Sequence, residues 1–111
     1  MENIPNNFLG LEKKYSDYAA AKIAVLPIPY EATTSYGKGT KNGPAAIIKA
    51  SQTVEFYDEA LDRDAFRDFG IATLKPIAFG SRRGAKALVL IEKAVGKILD
   101  DGKFPVCLGG E

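Results

Sequence analysis

The run K-I-A-V-L-P-I-P-Y, residues 22–30, is almost continuously apolar from Ile23 to Ile28. A run this short without polar alternation suits a strand covered on both faces, as in a parallel sheet, because a strand with one wet face would alternate. Pro27 and Pro29 are expected to mark its end, since proline has no N–H for a sheet ladder. The next residues, Tyr30 to Gly43, are rich in Thr, Ser, Gly and Lys and follow neither period, so they read as a long exposed loop.

Outward from that loop, Pro44 opens a short amphipathic helix as a first-turn residue, with Ile47, Ala50 and Val54 at helical spacing. Val54 to Tyr57 reads as a brief strand. Asp58 to Asp68 reads as an acidic loop whose Asp62, Arg63, Asp64, Arg67 and Asp68 face water. Gly70 breaks the chain before a second main strand, Ile71 to Leu74, with Ile77 beyond Pro76. Ser81 is the predicted N-cap of a long helix whose stripe is Ala85, Leu88, Val89, Ile91, Val95, Ile98 and Leu99, and Gly102 is its predicted C′ residue. Phe104 to Leu108 is a third apolar strand, followed by Gly109, Gly110 and Glu111.

Strands separated by helices imply a parallel sheet in an α/β layered fold. The predicted division is an N-terminal arm over residues 1–21 and an α/β domain over 22–111. The opening Met1 to Gly10 is expected to be a loose arm, anchored at most by Ile4, Phe8 and Leu9. Two good helices leave much of a three-stranded parallel sheet uncovered, which favours more chain, a partner or self-association to cover it.

Composition removes several function classes. Lys plus Arg at 15 against Asp plus Glu at 14 gives a net charge of +1, which supplies no electrostatic reason to bind nucleic acid or anionic lipid. No apolar run approaches the roughly 20 residues of a membrane span, and the polar opening lacks the pattern of a secretory signal. A cytoplasmic location is expected. Cys107, the only cysteine, lies in an apolar run and is expected to pack as a buried small hydrophobe. With no histidine in the chain, neither a Ser-His nor a Cys-His mechanism can run, and no His-containing metal site can form.

Gly37, Gly39 and Gly43 invite comparison with nucleotide-binding loops, and the comparison fails. Gly39 follows Lys38 where a phosphate loop needs Gly before Lys and Ser or Thr after it. A dinucleotide fingerprint would place its first glycine directly after the strand and an acidic residue at the end of the second, and neither is found here. Positive φ angles in a loop account for the glycines.

The stretch IAVLPIPYEATTSYGKGTKNGPAAIIKAS, residues 23–51, resembles the N-terminal block of agmatinases and related ureohydrolases of the arginase family. The family pattern T-S-Y/F-x-x-G-T-x-x-G-P-x-x-I is matched in order by Thr34, Ser35, Tyr36, Gly39, Thr40, Gly43, Pro44 and Ile47. EFYDE at 55–59 is also similar, and FPVCLGGE at 104–111 resembles the strand carrying the family's G-G-E/D-H-S motif. These blocks run through nearly the whole chain from Ile23 onward.

The resemblance implies the N-terminal part of a three-layer α/β/α arginase-like fold. It implies a parent enzyme that hydrolyses a guanidino compound such as agmatine to an amine and urea, in polyamine metabolism, at two manganese ions that lower the pKa of a bound water. In the family the first histidine ligand directly follows the residue matched by Glu111, and the other ligands lie further on. No catalytic residue and no metal ligand is therefore assigned to this chain, no cofactor is expected for it alone, and the isolated chain is expected to be inactive. Gly109, Gly110 and Glu111 are expected to border the metal site through backbone. Thr33, Thr34, Ser35, Tyr36, Gly39 and Thr40 are the candidate substrate-entrance loop, with fixing of the strand-to-helix turn as the rival role. The alternative to a hydrolase portion is a non-catalytic α/β binding or assembly module. Relatives assemble into trimers and hexamers, which makes a homo-oligomer a matching expectation.

Overall fold

The computed structural model describes residues 7–31, 39–52, 57–58, 63–64 and 68–110. In chain order its elements are α1 (Lys13–Ser16), β1 (Ile23–Ile28), α2 (Gly43–Ser51), β2 (Tyr57–Asp58), β3 (Arg63–Asp64), β4 (Ile71–Thr73), α3 (Ala85–Asp100) and β5 (Phe104–Gly109). The main sheet is parallel, in the order β4-β1-β5, with Ile23 opposite both Ile71 and Phe104. β1 is thus the middle strand, and Ala24 through Ile28 are all buried, as its unbroken apolar run requires.

Pro27 does not end β1; it lies inside it, opposite Leu108. The hydrogen-bond directions explain how a central strand tolerates it. The Val25 and Pro27 carbonyls accept from Leu74 and Ile77 on the β4 side, so the missing N–H of Pro27 also faces that side. The β1–β4 ladder stops at Val25 and Thr73, and no ladder bond is lost.

Side chains alternate between two buried faces. Ala24, Leu26, Ile28, Ala72 and Leu74 meet α3, with Tyr18, Ala21 and Phe79 completing that core. Val25 and Ile71 point the other way, against Leu11 and the partly buried Phe8, Leu9, Tyr15 and Leu108. α2 lies on this second side, its Ser51 Oγ accepting from the Leu9 amide at 2.8 Å. Helix, sheet and helix form three layers, as the α/β reading anticipated. Among the described residues no helix is long and apolar enough to cross a membrane.

Three expectations about packing need correction. Residues 7–10 are not loose: Asn7 is buried, and the Phe8 amide donates to Thr73 Oγ1 at 2.8 Å, docking this segment on the sheet. α2 buries Pro44, Ile48 and Ser51, while Ile47 stays 45% exposed. On α3 the residues facing the sheet are Ala87, Leu90, Ile91, Ala94, Val95 and Ile98, whereas Leu88, Val89 and Leu99 are exposed. The α3 sequence carries apolar residues on two flanks, and only one flank meets β1 and β5.

The ends of α3 also divide. Its C-terminus follows the expected form: Gly102 at φ 73 donates to the Leu99 carbonyl and Lys103 to that of Ile98, a Schellman closure. Its N-cap, however, is Gly84 and not Ser81, because the Arg82 amide is used in a turn back to Phe79 and the first helical bond runs from Leu88 to Gly84. From the last residue of the expected brief strand into the expected acidic loop, β2 and β3 form a short antiparallel pair, Tyr57 opposite Asp64 and Asp58 opposite Arg63. Residues 53–56, 59–62 and 65–67 lie outside the described residues, and with them most of the expected strand at 54–57.

Cys107 is exposed, contrary to the expectation of burial. Among the described residues β5 is a sheet edge, and Phe104 at 67% exposure and Val106 at 36% are open on one face as Cys107 is on the other. Apolar sequence foretold a strand there, but burial of its side chains needs a covering layer that these residues do not supply.

Candidate functional site

The carboxyl ends of β1 and β5 lie side by side, where a parallel sheet places its ligands. Gly110 donates its amide to the Ile28 carbonyl at 3.0 Å, and so continues along β1 past the end of β5. A Cβ on Gly110 would fall 2.5 Å from the Tyr30 carbonyl oxygen and 3.2 Å from that of Thr40. Only glycine fits between the two limbs of the loop that joins β1 to α2. Gly109 has open space where its Cβ would be, and its carbonyl lies 3.5 Å from a Cβ built on Gly43.

Glu31 pins that loop. Its carboxylate accepts from the Gly39 amide and from Thr40 Oγ1, the latter at 3.2 Å. The Gly39 hydrogen bond, first, and those of Thr40 and Lys41 hold the Glu31 carboxyl below the usual glutamate range, against the opposing effect of desolvation. Gly39 itself has φ 114 and accepts from the Asn42 amide at 2.9 Å, which turns the chain into α2. The loop therefore leaves β1 at Glu31 and returns to it at Gly39, with Thr40 against Gly110.

Of the candidate positions, Gly39, Thr40, Gly109 and Gly110 are brought together at the strand tips. Thr33, Thr34, Ser35, Tyr36 and Glu111 lie outside the described residues. Glu31 was not foreseen; an acidic residue three positions past the strand, ahead of a Gly-Lys-Gly-Thr run, is the signal that could have found it. Among the described residues no three His, Cys, Asp or Glu side chains converge, and the sequence has no histidine. The described groups do not make the mixed imidazole and carboxylate set that a manganese pair needs.

Residues 21–111 match the model of the arginase family. The chain belongs to the arginase family. Its relatives include an N(1)-aminopropylagmatine ureohydrolase of Synechocystis sp., 39% identical over 117 aligned positions that cover 96% of this chain and 38% of that protein. An agmatinase of Bacillus subtilis is 36% identical, with 86% of this chain and 32% of that protein covered. Among solved structures, the agmatine ureohydrolase of Thermoplasma volcanium superposes with a TM-score of 0.73 at 31% identity, over 86% of this chain and 32% of that one. This arginase-family chain thus spans 38% or less of the length of each of these relatives.

Proposed function

We propose that this chain forms the N-terminal part of a guanidino hydrolase that releases urea and an amine from an agmatine-like substrate. The observation that carries the reading is the seating of the loop after β1, the segment that resembles the ureohydrolase pattern, directly over Gly110 at the tip of β5. The described residues supply a scaffold for the strand tips. The manganese pair and its ligands belong, in this proposal, to the parts of the relatives that the chain does not span, and the chain alone is inactive. Residues 33–40 border the substrate entrance, Gly109 to Glu111 border the metals through backbone, residues 1–21 form the N-terminal segment ahead of the catalytic fold with its described part packed on the sheet, and the protein works in the cytoplasm.

Two measurements test this. Purified chain incubated with agmatine and manganese should release no urea above the rate without protein. The codons after Glu111, read in genomic DNA, should encode His-Ser. Metal-dependent urea release by the 111 residues would place the active centre within them and overturn the reading.

The exposed edge of β5, with Phe104 and Val106 open, favours a second reading: a non-catalytic α/β module that assembles through this strand. Sedimentation of the chain as a defined oligomer would support it, and a monomer at all concentrations would count against it.

A further inference from the structure

The chain leaves β1 toward α2 on one face of the sheet and leaves β4 toward α3 on the other. The two connections therefore part between the tips of β1 and β4, outside the carboxyl ends of the strands, which is the end of an open α/β sheet that binds ligands. A cavity of about 440 Å³ is found at this point. Tyr30 and Phe79 line its floor, and Glu31, Lys41, Arg82 and Arg83 surround it. The floor is fixed: the two rings meet edge to face at 5.2 Å, and Tyr30 Oη accepts from the Gly84 amide at 3.1 Å. Arg82 is steadied over the same turn by its Nη1 contact with the Phe79 carbonyl at 3.4 Å.

The charges select the ligand. Among the described lining residues three cationic side chains face one carboxylate, and that carboxylate, Glu31, already accepts from the Gly39 amide and the Thr40 hydroxyl. A guanidinium or ammonium ligand would meet a net positive wall, so this crevice is a poor seat for a guanidino substrate. Arg82 and Arg83 both line the cavity, and guanidinium groups present planar forks of donors that match clustered anionic oxygens.

We propose that the crevice between the tips of β1 and β4 binds a small, multiply charged oxyanion through Arg82 and Arg83, with Lys41 as a third cationic group of its lining. Phosphate and polycarboxylates share the required chemistry. The inference stands on the crevice and its charges, and holds whether or not the hydrolase reading does.

The test is an amide NMR titration of the 111-residue chain at constant ionic strength, with sodium phosphate, sodium citrate, sodium chloride and agmatine as separate ligands. Saturable shifts at Tyr30, Gly80 and Arg83 are expected with phosphate, citrate or both, and the pattern of response separates a phosphate site from a carboxylate site. The double variant R82Q/R83Q should weaken binding about tenfold or more, R82K/R83K by less because it keeps the charge and loses the forks, and K93Q on the exposed side of α3 should leave it unchanged. Absence of saturation with both oxyanions, equal shifts with chloride, equal shifts with agmatine, or an equal loss in K93Q would each overturn the proposal.

Discussion

Tyr18 Oη donates to Asp101 Oδ2 at 2.5 Å, joining residues 83 apart in sequence. Lys103 reinforces the junction: its Nζ donates to the Ala21 carbonyl at 2.6 Å and sits 4.6 Å from the centre of the Tyr18 ring. The segment before β1 is thereby fastened to the turn between α3 and β5. Burial, and then the hydrogen bond and charge of Asp101, push the Tyr18 hydroxyl up to about 12. Asp101 moves the other way, its carboxyl held below the usual range by the Tyr18 hydrogen bond first and by Lys97.

Tyr18→Phe should lower the urea midpoint at neutral pH without changing the slope, since one interaction is lost and the buried surface is kept. The sign with pH follows from the shifts. The folded Tyr18 titrates above its ordinary value of 10.0, so its contribution is complete below pH 10 and lost as the pH rises toward 12. The depressed Asp101 contributes above the ordinary aspartate range and loses that contribution in acid. The midpoint difference between wild type and Y18F should therefore shrink at both extremes; parallel curves from acid to pH 12 would refute the coupling.

α3 offers a sharper test of which flank meets the sheet. Ile98 is fully buried, so Ile98→Ala should cost about 2–5 kcal/mol in urea unfolding followed by circular dichroism. Leu88 is 65% exposed, and Leu88→Ala should stay within about 0.5 kcal/mol. Equal losses would mean that both flanks are covered in solution.

That pair of residues also shows how far the amino-acid sequence reaches. β1 was legible because a strand buried on both faces loses its alternation, and the end of α3 because a glycine at C′ is a local requirement. Leu88 and Ile98 look alike in a helical period, and only the position of the sheet decides between them. Cys107 was misread for the same reason: an apolar strand is buried when something covers it, and β5 is an edge here. At the candidate site, the glycine pair and the loop after β1 could be found by pattern, while the Glu31 contact with the Gly39 amide, side chain to backbone across 8 positions, has no sequence period to reveal it.

Gly110 and Gly109 are adjacent and should respond differently to the same change. A methyl group at position 110 would press on the Tyr30 and Thr40 carbonyls, and displacing backbone is costly, so Gly110→Ala should destabilise the chain by about 1–3 kcal/mol. Gly109→Ala meets nothing within 4 Å and should fall within about 0.5 kcal/mol of wild type. Thermal unfolding of the two variants side by side gives the comparison, and the reverse order would refute the seating of the loop over Gly110.

Glu31 should act as the acid-sensitive clasp of the loop after β1. Its folded carboxyl is depressed chiefly by the Gly39 amide, so the clasp holds above the ordinary glutamate range and opens as the pH falls through the lowered folded value. The Gly39 amide resonance should sit downfield near neutral pH, as expected for a charge-assisted hydrogen bond, and should titrate upfield in acid with an apparent pKa below that of an unperturbed glutamate. Glu31→Gln should remove that titration and leave the Gly39 resonance at its acid position at every pH. Because Thr40 returns the same loop limb to Gly110, the variant should also shift the Gly110 amide while leaving that of Ile98, buried against the opposite layer, in place. A Gly39 resonance that titrates identically in wild type and E31Q would assign the proton to another group and dismiss the clasp.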